Sequence, residues 1–291
     1  MSIKVLVTGA DSQLGKTLKE IVSEGFDLDF KSRKDLDITD IDTVHSLLAE
    51  NNYQYCYNFA AYTNVNQAEI DKEDCYNINV RGVANLVAAC QKNNCTLVHI
   101  STDYVYDGKK TNPYTETDAT NPLNYYGESK LLGEEMIRNN LAHHIIIRTS
   151  WLYSEYNHNF VKTILELAQK NELLHLVNDQ KGTPTYARDL VHFVIGLSRI
   201  IEQSNDESYF GLYHYSNEGT ATWFDFGKEI IKLSKQNTKV EATDSSRFVS
   251  PAKRPTYSVL SKQKAVNTFG LEVRHWQTAL LDFFNRYSPE K

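Results

Sequence analysis

Residues 3–15, IKVLVTGADSQLG, decide the fold that this sequence predicts. A short apolar run is followed by a glycine turn and then by apolar residues at helical spacing, which predicts a strand, a tight turn and a helix. Gly9 permits a sharp turn and Gly15 permits close packing of the helix on the strand, while Ser12 offers a hydroxyl donor between them. The helix N-terminus of such a unit presents free N–H groups to a pyrophosphate. The alternative is an ordinary glycine turn.

The alternation of strand and helix continues through the first half of the chain. Apolar runs predict further strands, separated by helical patterns, at 27–31, 55–61, 96–100 and 144–147. This order predicts an α/β fold, a Rossmann-like doubly wound parallel sheet with right-handed crossovers. After Trp151 the pattern loosens, and we expect a smaller mixed α/β C-terminal substrate domain. The predicted division is a dinucleotide-binding domain over residues 1–150, with return segments from about 174–202, and an interleaved substrate domain over 151–291.

Composition favours a folded globular protein and disfavours several classes of partner. The 291 residues are 41% hydrophobic with a net charge of -6, so we expect neither nucleic acid nor an anionic membrane as a partner. The four cysteines have no CxxC spacing, which argues against a zinc site or a disulfide scaffold. No apolar run has the length of a signal peptide or a membrane span, so we expect a cytoplasmic protein.

The end of the second predicted strand bears on which dinucleotide binds. In dinucleotide folds an acidic residue at this position accepts a hydrogen bond from a free ribose 2′-hydroxyl. The sequence here is Lys31-Ser32-Arg33, without a carboxylate, and Ser32 and Arg33 suit a 2′-phosphate. We therefore expect NADPH, with NADH as the alternative, and we expect Asp37 and Ile38 to flank the adenine ring. The alternative is that Arg33 is a solvated loop residue, in which case it would favour neither NADPH nor NADH.

A tyrosine and a lysine four residues apart are candidates for proton transfer. Tyr126 and Lys130 share one face of a predicted helix. An ammonium beside a phenol favours the phenolate, which brings the phenol pKa of ~10 closer to neutrality. Thr102 lies just after the fourth predicted strand, at the sheet edge where ligands of parallel sheets bind. The catalytic candidates are therefore Thr102, Tyr126 and Lys130; the alternative is a solvent-facing Tyr/Lys pair.

Three segments, Thr8–Gly15, Ser101–Tyr106 and Tyr126–Lys130, jointly resemble the extended short-chain dehydrogenase/reductase family. The resemblance spans nearly the whole chain, and Arg148–Trp151 and Asp179–Thr185 narrow it to members that act on nucleotide-linked 4-keto-6-deoxysugars. It implies NADPH-dependent reduction of the 4-keto group of dTDP-4-dehydro-L-rhamnose to dTDP-L-rhamnose, a step towards cell-surface polysaccharide.

The same resemblance implies roles for the three catalytic candidates. Tyr126 would protonate the developing alkoxide. Lys130 would lower the pKa of Tyr126 and bind the nicotinamide ribose, and Thr102 would hold the carbonyl oxygen. Donors aimed at that oxygen stabilise the transition state more than the ketone.

The expected cofactor contacts come from the glycine turn, the second strand, the small residues after the third strand and the Tyr/Lys pair. They are Gly9, Ser12, Gln13, Leu14, Gly15, Ser32, Arg33, Asp37, Ile38, Ala60, Ala61, Tyr62, Tyr126 and Lys130. The resemblance places around the substrate, a dTDP-linked 4-keto-6-deoxyhexose, the residues Thr63, Val65, Asp103, Trp151 and Arg254. Trp151 would lie against the sugar or nucleotide, or be hinge core. Arg254 would pair with the diphosphate, or form a surface ion pair.

The chain departs from the family pattern at two places. Ser12 stands where a glycine is usual, and Asn66-Gln67 stand where an Asp-Lys pair is common, which bears on the substrate loop. Two alternatives stay open: a reductase of another nucleotide-linked 4-keto-6-deoxysugar, and a non-catalytic NADP-binding regulatory subunit. The complete catalytic trio argues against the second. The glutamates that bind magnesium in some relatives have no match here, so we expect no metal, and either a monomer or a homodimer.

Overall fold

The computed structural model describes residues 2–21, 24–204 and 206–287. Its central strands are β1 Ile3–Thr8, β2 Phe26–Lys31, β3 Tyr55–Asn58, β4 Thr96–Thr102, β5 His144–Thr149 and β10 Gly211–His214. They form one parallel sheet in the order β2-β1-β3-β4-β5-β10. The inner strands β3, β4 and β5 are buried almost throughout, as expected of a parallel sheet that helices cover on both faces.

Helices cover the two faces of this sheet. On one face lie α1 Gln13–Glu20 and α7 Ala187–Gln203; on the other lie α2 Ile41–Asn51, α4 Val83–Lys92 and α5 Tyr125–Asn140. The helix α3 Lys72–Tyr76 leads into α4 through the π-helical turn Asn77–Gly82. Alternate strand residues enter the two cores: Val5 and Val7 pack with α1 and α7, whereas Leu6 packs with α2 and α4. The predicted α/β, Rossmann-like doubly wound fold is confirmed.

The strand order changes direction between β1 and β3. The chain first moves from β1 out to β2, then crosses back to β3 and continues to β4 and β5. At such a switch point the loops after the neighbouring strands diverge and leave a crevice outside the carboxyl ends of the strands. The predicted functional residues lie at the ends of β1, β3 and β4, so this topology brings them to one crevice.

The later elements form a smaller mixed α/β region with its own apolar core. They are β6 Leu152–Tyr153, α6 Phe160–Ala168, β7 Leu173–Val177, β8 Lys181–Gly182, β9 Thr185–Tyr186, β11 Ala221–Thr222, α8 Trp223–Ser234, β12 Lys239–Thr243 and α10 Trp276–Arg286. The predicted return segment 174–202 covers most of β7, then β8 and β9, and nearly all of α7. The strand β7 pairs with β12, and the chain rejoins the main sheet through α7, β10 and α9 Gln263–Phe269. A short apolar run does not reveal its pairing partner, and the division near residue 150 stays a prediction.

A buried carboxylate ties α5 to the strands beneath it. Glu134 is fully buried, and its two oxygens accept hydrogen bonds from Nε and Nη2 of Arg148 at 2.9 and 2.6 Å. The Ser101 hydroxyl donates a third hydrogen bond at 2.5 Å. Because Ser101 lies on β4 and Arg148 on β5, the carboxylate fixes α5, which carries Tyr126 and Lys130, against both strands.

We predict that Arg148→Met lowers the free energy of unfolding by about 3–5 kcal/mol, because it leaves the Glu134 carboxylate buried without its charge partner. A matched control is Lys232→Met, which removes the exposed partner of the Lys232–Glu229 pair and should cost at most about 1 kcal/mol. Urea unfolding of both variants measures the difference. Equal losses in the two variants would contradict a special role for the buried pair.

Candidate active site

A cavity of about 500 Å³ opens at the carboxyl ends of the central strands. Thr102 at the end of β4 lines it, together with Tyr126 and Lys130 from the first turns of α5. The structure therefore brings the three predicted catalytic residues to one cavity.

Thr102 is held where β4 enters the cavity. It caps the short 3-10 helix Asp103–Val105, and its Oγ1 accepts the backbone N–H of Tyr104 at 3.2 Å. The same hydroxyl donates to Oδ1 of Asp103 at 3.2 Å, and it lies close enough to the Tyr126 phenol to oppose the rise in the pKa of that phenol. Thr102 and the phenol are therefore neighbours in a fixed arrangement.

Tyr126 stands in the first turn of α5, which Asn124 caps by accepting the Gly127 N–H at 2.8 Å. A Cβ added to Gly127 would lie 2.2 Å from a carbonyl oxygen after β4, so the helix packs very closely there. Burial raises the pKa of Tyr126, although the nearby Thr102 hydroxyl opposes the shift. The net shift is upward, opposite to the lowering expected from Lys130, because lost hydration of the phenolate outweighs the favourable contacts.

Lys130 is buried one turn further along α5. Its Nζ donates to the backbone carbonyl of Ile100 at 2.7 Å and lies 3.1 Å from Nε2 of His99. Burial lowers the pKa of Lys130 to about 8, while the charge of Glu134 acts in the opposite direction. Lys130 therefore titrates close to neutral pH, as suits a group in a proton-transfer site.

The glycine turn after β1 lies at very close range to β3. Gly9 has a φ of +64°, and a Cβ added there would lie 2.6 Å from the backbone N of Ala60. A Cβ on Gly15 would lie 2.5 Å from the Gly9 carbonyl oxygen, so neither position has room for a side chain. Ser12 caps α1 by accepting the Gly15 N–H at 3.1 Å, which leaves its hydroxyl hydrogen available as a donor.

A second cavity, of about 210 Å³, adjoins the first and shares Ser12, Phe59, Ala60 and Ala61 with it. The predicted cofactor residues that line only the second cavity are Gly9, Arg33, Asp37 and Ile38, and those that line only the first are Gln13, Leu14, Tyr126 and Lys130. The Arg33 side chain is 76% exposed, with Nε 3.7 Å from Oδ2 of Asp37. Most predicted cofactor residues thus share one surface that runs from the end of β2 to α5.

Three predicted cofactor residues have other partners. Gly15 is buried against the glycine turn. The Ser32 hydroxyl donates to Oδ2 of Asp35 at 2.6 Å, and the Tyr62 hydroxyl donates to Asp71 at 3.2 Å. Ser32 therefore supports its own loop, and Arg33 is the better candidate for a 2′-phosphate contact.

The smaller mixed α/β region and the segment leading into it contribute two stacked indole rings to the main cavity. Trp151 and Trp223 both line it, with ring centroids 3.5 Å apart and an interplanar angle of 8°. Trp151 has a φ of +47°, which bulky residues rarely adopt, and a Cβ on Gly182 would lie 2.6 Å from its ring. Packing therefore holds Trp151 in a strained conformation of the kind found at functional sites. Three further predicted substrate residues line the same cavity: Thr63, Val65 and Asp103.

The fifth predicted substrate residue, Arg254, is engaged beside the cavity. Its Nη1 donates to the Ser250 hydroxyl at 2.6 Å, and its Nη2 donates to Oδ1 of Asn66 at 3.2 Å. Its guanidinium also lies near Tyr104, which lines the cavity, and opposes the rise that burial causes in the pKa of Tyr104. Because Asn66 is a neutral acceptor, its contact leaves the charge of Arg254 uncompensated.

Several lining residues were missed from the sequence, notably Asn58, Asn157, His158 and Trp223. Asn58 ends β3, so its position at a strand end was an available signal. The other three come from the C-terminal half of the chain, and no local sequence pattern indicates that they line the cavity. Their placement depends on tertiary contacts such as the hydrogen bond that the Asn157 amide donates to the Asp11 carbonyl at 2.8 Å.

The residues that the structure describes, 2–21, 24–204 and 206–287, were searched for metal-binding groups and for membrane-spanning helices. No group of three or more His, Cys, Asp or Glu side chains in these ranges is arranged to hold a metal ion. No helix in them has both the length and the apolar character needed to cross a membrane.

Residues 3–288 match the protein family described as RmlD substrate binding domain. A dTDP-4-dehydrorhamnose reductase from Aggregatibacter actinomycetemcomitans is 39% identical over 95% of this chain and 97% of its own. A dTDP-4-keto-6-deoxy-D-glucose reductase from Streptomyces niveus is 33% identical over 98% of this chain and 97% of its own. The solved structure of dTDP-4-dehydrorhamnose reductase from Bacillus anthracis str. Ames in complex with NADP has a TM-score of 0.91 at 37% identity, covering 98% of this chain and 99% of that one.

We predict that Asp103→Asn changes the pH dependence of stability. Burial raises the pKa of Asp103 to about 7 from 3.8, although the nearby Ser258 and Thr102 hydroxyls oppose the shift. A carboxyl whose pKa is raised on folding favours the folded state at low pH and loses that contribution as pH rises through about 7. Each pKa unit corresponds to about 1.4 kcal/mol. The Tm of the variant relative to the native chain should therefore be higher at pH 8 than at pH 5, and the same difference at both pH values would contradict this.

Proposed function

The chain belongs to the RmlD substrate-binding domain family, and from that premise we propose that it reduces the 4-keto group of dTDP-4-dehydro-L-rhamnose to dTDP-L-rhamnose with NADPH. The observation that carries this proposal is the convergence of Thr102, Tyr126 and Lys130 at one cavity that also has an aromatic wall. Similarity to reductases of that substrate along nearly the full length of both chains supports the choice of sugar nucleotide.

The residues of the two adjoining cavities fit a dinucleotide cofactor. The glycine turn leaves the backbone open, so Ser12 and the N-terminal N–H groups of α1 would bind a pyrophosphate. Asp37 and Ile38 would flank the adenine, and Arg33 would contact a 2′-phosphate. When bound, NADPH supplies the hydride that converts the ketone into an alkoxide.

Tyr126 would protonate this alkoxide. Because burial raises its pKa, the phenol carries its proton at neutral pH and is ready to act as a general acid. The Thr102 hydroxyl, which contacts the phenol, would donate to the same oxygen as negative charge builds there. Thr102 is held by its hydrogen bonds with Tyr104 and Asp103, and its hydroxyl hydrogen, which points at Asp103 in the free site, would turn to the substrate oxygen.

Lys130 would return a proton to the Tyr126 phenolate and would also bind the nicotinamide ribose. Its ammonium is buried one turn along the same helix and is tied to the Ile100 carbonyl at 2.7 Å. A pKa lowered to about 8 makes its proton transferable near neutral pH. This role differs from lowering the pKa of the phenol in the resting enzyme.

The substrate side of the cavity offers an aromatic surface and polar groups. The stacked Trp151 and Trp223 give a flat face of the kind that packs on a sugar or a pyrimidine ring. Asp103 would accept a hydrogen bond from a sugar hydroxyl. Arg254 would bind the diphosphate, since a guanidinium matches phosphate oxygens, once it leaves Ser250.

A second candidate is the reduction of a different dTDP-linked 4-keto-6-deoxysugar. The Streptomyces niveus relative, named for dTDP-4-keto-6-deoxy-D-glucose, is 33% identical over nearly the whole chain. The aromatic wall would accept either sugar ring, because stacking does not depend on the configuration of single hydroxyls. Turnover with the two sugars, compared side by side, separates these candidates.

We predict that Tyr126→Phe lowers kcat by roughly 10²-fold or more, the scale of general acid catalysis, and leaves NADPH affinity little changed. The matched control is Tyr125→Phe, the preceding residue, whose ring packs under Lys72 at 5.1 Å. Initial rates of NADPH oxidation measure turnover, and fluorescence titration measures affinity. Undiminished turnover in Tyr126→Phe, or an equal loss in both variants, would remove Tyr126 from the mechanism.

We also predict that Arg33→Ala weakens NADPH binding about tenfold, because it removes a charge-assisted contact with the 2′-phosphate, and leaves NADH binding nearly unchanged. Lys34→Ala removes a neighbouring exposed cation and serves as the control. Fluorescence titrations of both variants with both cofactors measure the dissociation constants. Equal losses of affinity for NADPH and for NADH would show that Arg33 does not contact the 2′-phosphate.

A further inference from the structure

A run of buried polar side chains lies behind Lys130. His99 on β4 is 1% exposed, and its ring contacts one side chain at each nitrogen. Nδ1 lies 3.0 Å from Nδ2 of Asn58, and Nε2 lies 3.1 Å from Nζ of Lys130. His99 thus joins the end of β3 to the lysine of the candidate site.

The orientation of the Asn58 amide follows from its other partners. Its Oδ1 accepts the backbone N–H of Ala60 at 3.2 Å and the Thr8 hydroxyl at 2.7 Å. A backbone N–H can only donate, so the amide oxygen must face Ala60 and the NH₂ group must face His99. Since an NH₂ group also only donates, Nδ1 of His99 is an acceptor.

This acceptor role fixes the tautomer of His99. Burial and the neighbouring Lys130 hold the pKa of His99 well below its usual value, so the ring is neutral. A neutral imidazole that accepts at Nδ1 carries its hydrogen on Nε2. The Nε2–H therefore points at Nζ of Lys130, 3.1 Å away.

The contact between His99 and Lys130 then depends on the protonation of the lysine. An ammonium has donors only, so in the charged form two donors face each other. A neutral amine has a lone pair that accepts the Nε2–H. The contact is therefore unfavourable for the ammonium and favourable for the amine.

We infer that Asn58 and His99 are positioning residues that weaken proton binding at Lys130, an inference that rests on the proposed function for its catalytic consequence. Asn58 selects the Nε2–H tautomer of His99, and that tautomer stabilises the neutral amine. After the Tyr126 O–H bond breaks and its proton passes to the substrate alkoxide, a proton from Nζ restores the phenol. The lone pair left on Nζ accepts the Nε2–H of His99, and water returns a proton to Nζ between turnovers.

Other titratable groups around Lys130 do not replace this effect. Glu134, on the same helix, favours the ammonium, but its carboxylate is shared with Arg148 and Ser101. Cys75 on α3 has a thiol pKa raised by burial, so it is neutral at pH 7. The remaining titratable residues that line the cavity are Tyr104 and Tyr126, whose pKa values are raised, Asp103, whose pKa is raised to about 7, and His158, which comes from the C-terminal half of the chain.

The first test reads the tautomer directly and needs neither substrate nor cofactor. Full-length protein labelled with ¹⁵N-histidine gives long-range ¹H–¹⁵N correlations for the nine histidines, and His99→Gln identifies the set that belongs to His99. We expect the Nε2–H pattern in the native chain. In Asn58→Asp, where a carboxylate can only accept, we expect the Nδ1–H pattern. An Nδ1–H or imidazolium pattern in the native chain would overturn the inference, even if the protein is an active reductase.

The second test reads the consequence for Lys130. Reduction requires a proton on Lys130, so kcat falls as pH rises through the pKa of that lysine. In Asn58→Asp the bare Nε2 accepts from the ammonium, and the alkaline limb of the kcat profile should move up by about one pH unit, tenfold in proton affinity. His99→Gln, whose amide oxygen can face Nζ, should move it in the same direction if Asn58→Asp does not fold. A lower kcat with an unmoved alkaline limb is the signature of a merely structural role and would overturn the inference.

Discussion

The buried Glu134 carboxylate is the contact on which the arrangement of the cavity depends. It accepts hydrogen bonds from Arg148 on β5 and Ser101 on β4, so α5 cannot slide along the sheet without leaving a buried charge unpaired. Thr102 is the next residue along β4 after Ser101, and on α5 Lys130 lies about one turn and Tyr126 just over two turns before Glu134. One satisfied carboxylate therefore sets the spacing between Tyr126, the proposed proton donor, and Thr102, the proposed partner of the carbonyl oxygen, which is the preorganisation that the proposed reduction needs.

Much of the fold was predictable because its signals are local. The apolar run before Gly9, the helical spacing after it, and the repeated alternation of strands and helices define a doubly wound sheet without any long-range information. The carboxyl ends of parallel strands meet at one edge, so Thr102 and the glycine turn were predictable as neighbours. The placement of Tyr126 in the first turn of α5 follows from the same reasoning.

What the sequence could not supply was pairing between distant residues and the balance of solvation. Trp223 contacts Trp151 because α8 packs against β6, where Phe226 contacts Tyr153. Asn58, His99 and Lys130 come together only through the sheet. The pKa of Tyr126 was expected to fall because the sequence shows a nearby cation. Burial, which the sequence does not show, instead raises it. The mechanism that we propose therefore uses a protonated phenol and a lysine of lowered pKa, rather than a resting phenolate.

The most direct measurement is NADPH oxidation by the purified protein with dTDP-4-dehydro-L-rhamnose generated in situ, together with identification of the sugar nucleotide formed. The account predicts that each NADPH consumed yields one dTDP-L-rhamnose, and that the UDP-linked counterpart reacts much more slowly. Failure to consume NADPH with the dTDP-linked ketone, or faster reaction of the UDP-linked one, would contradict it.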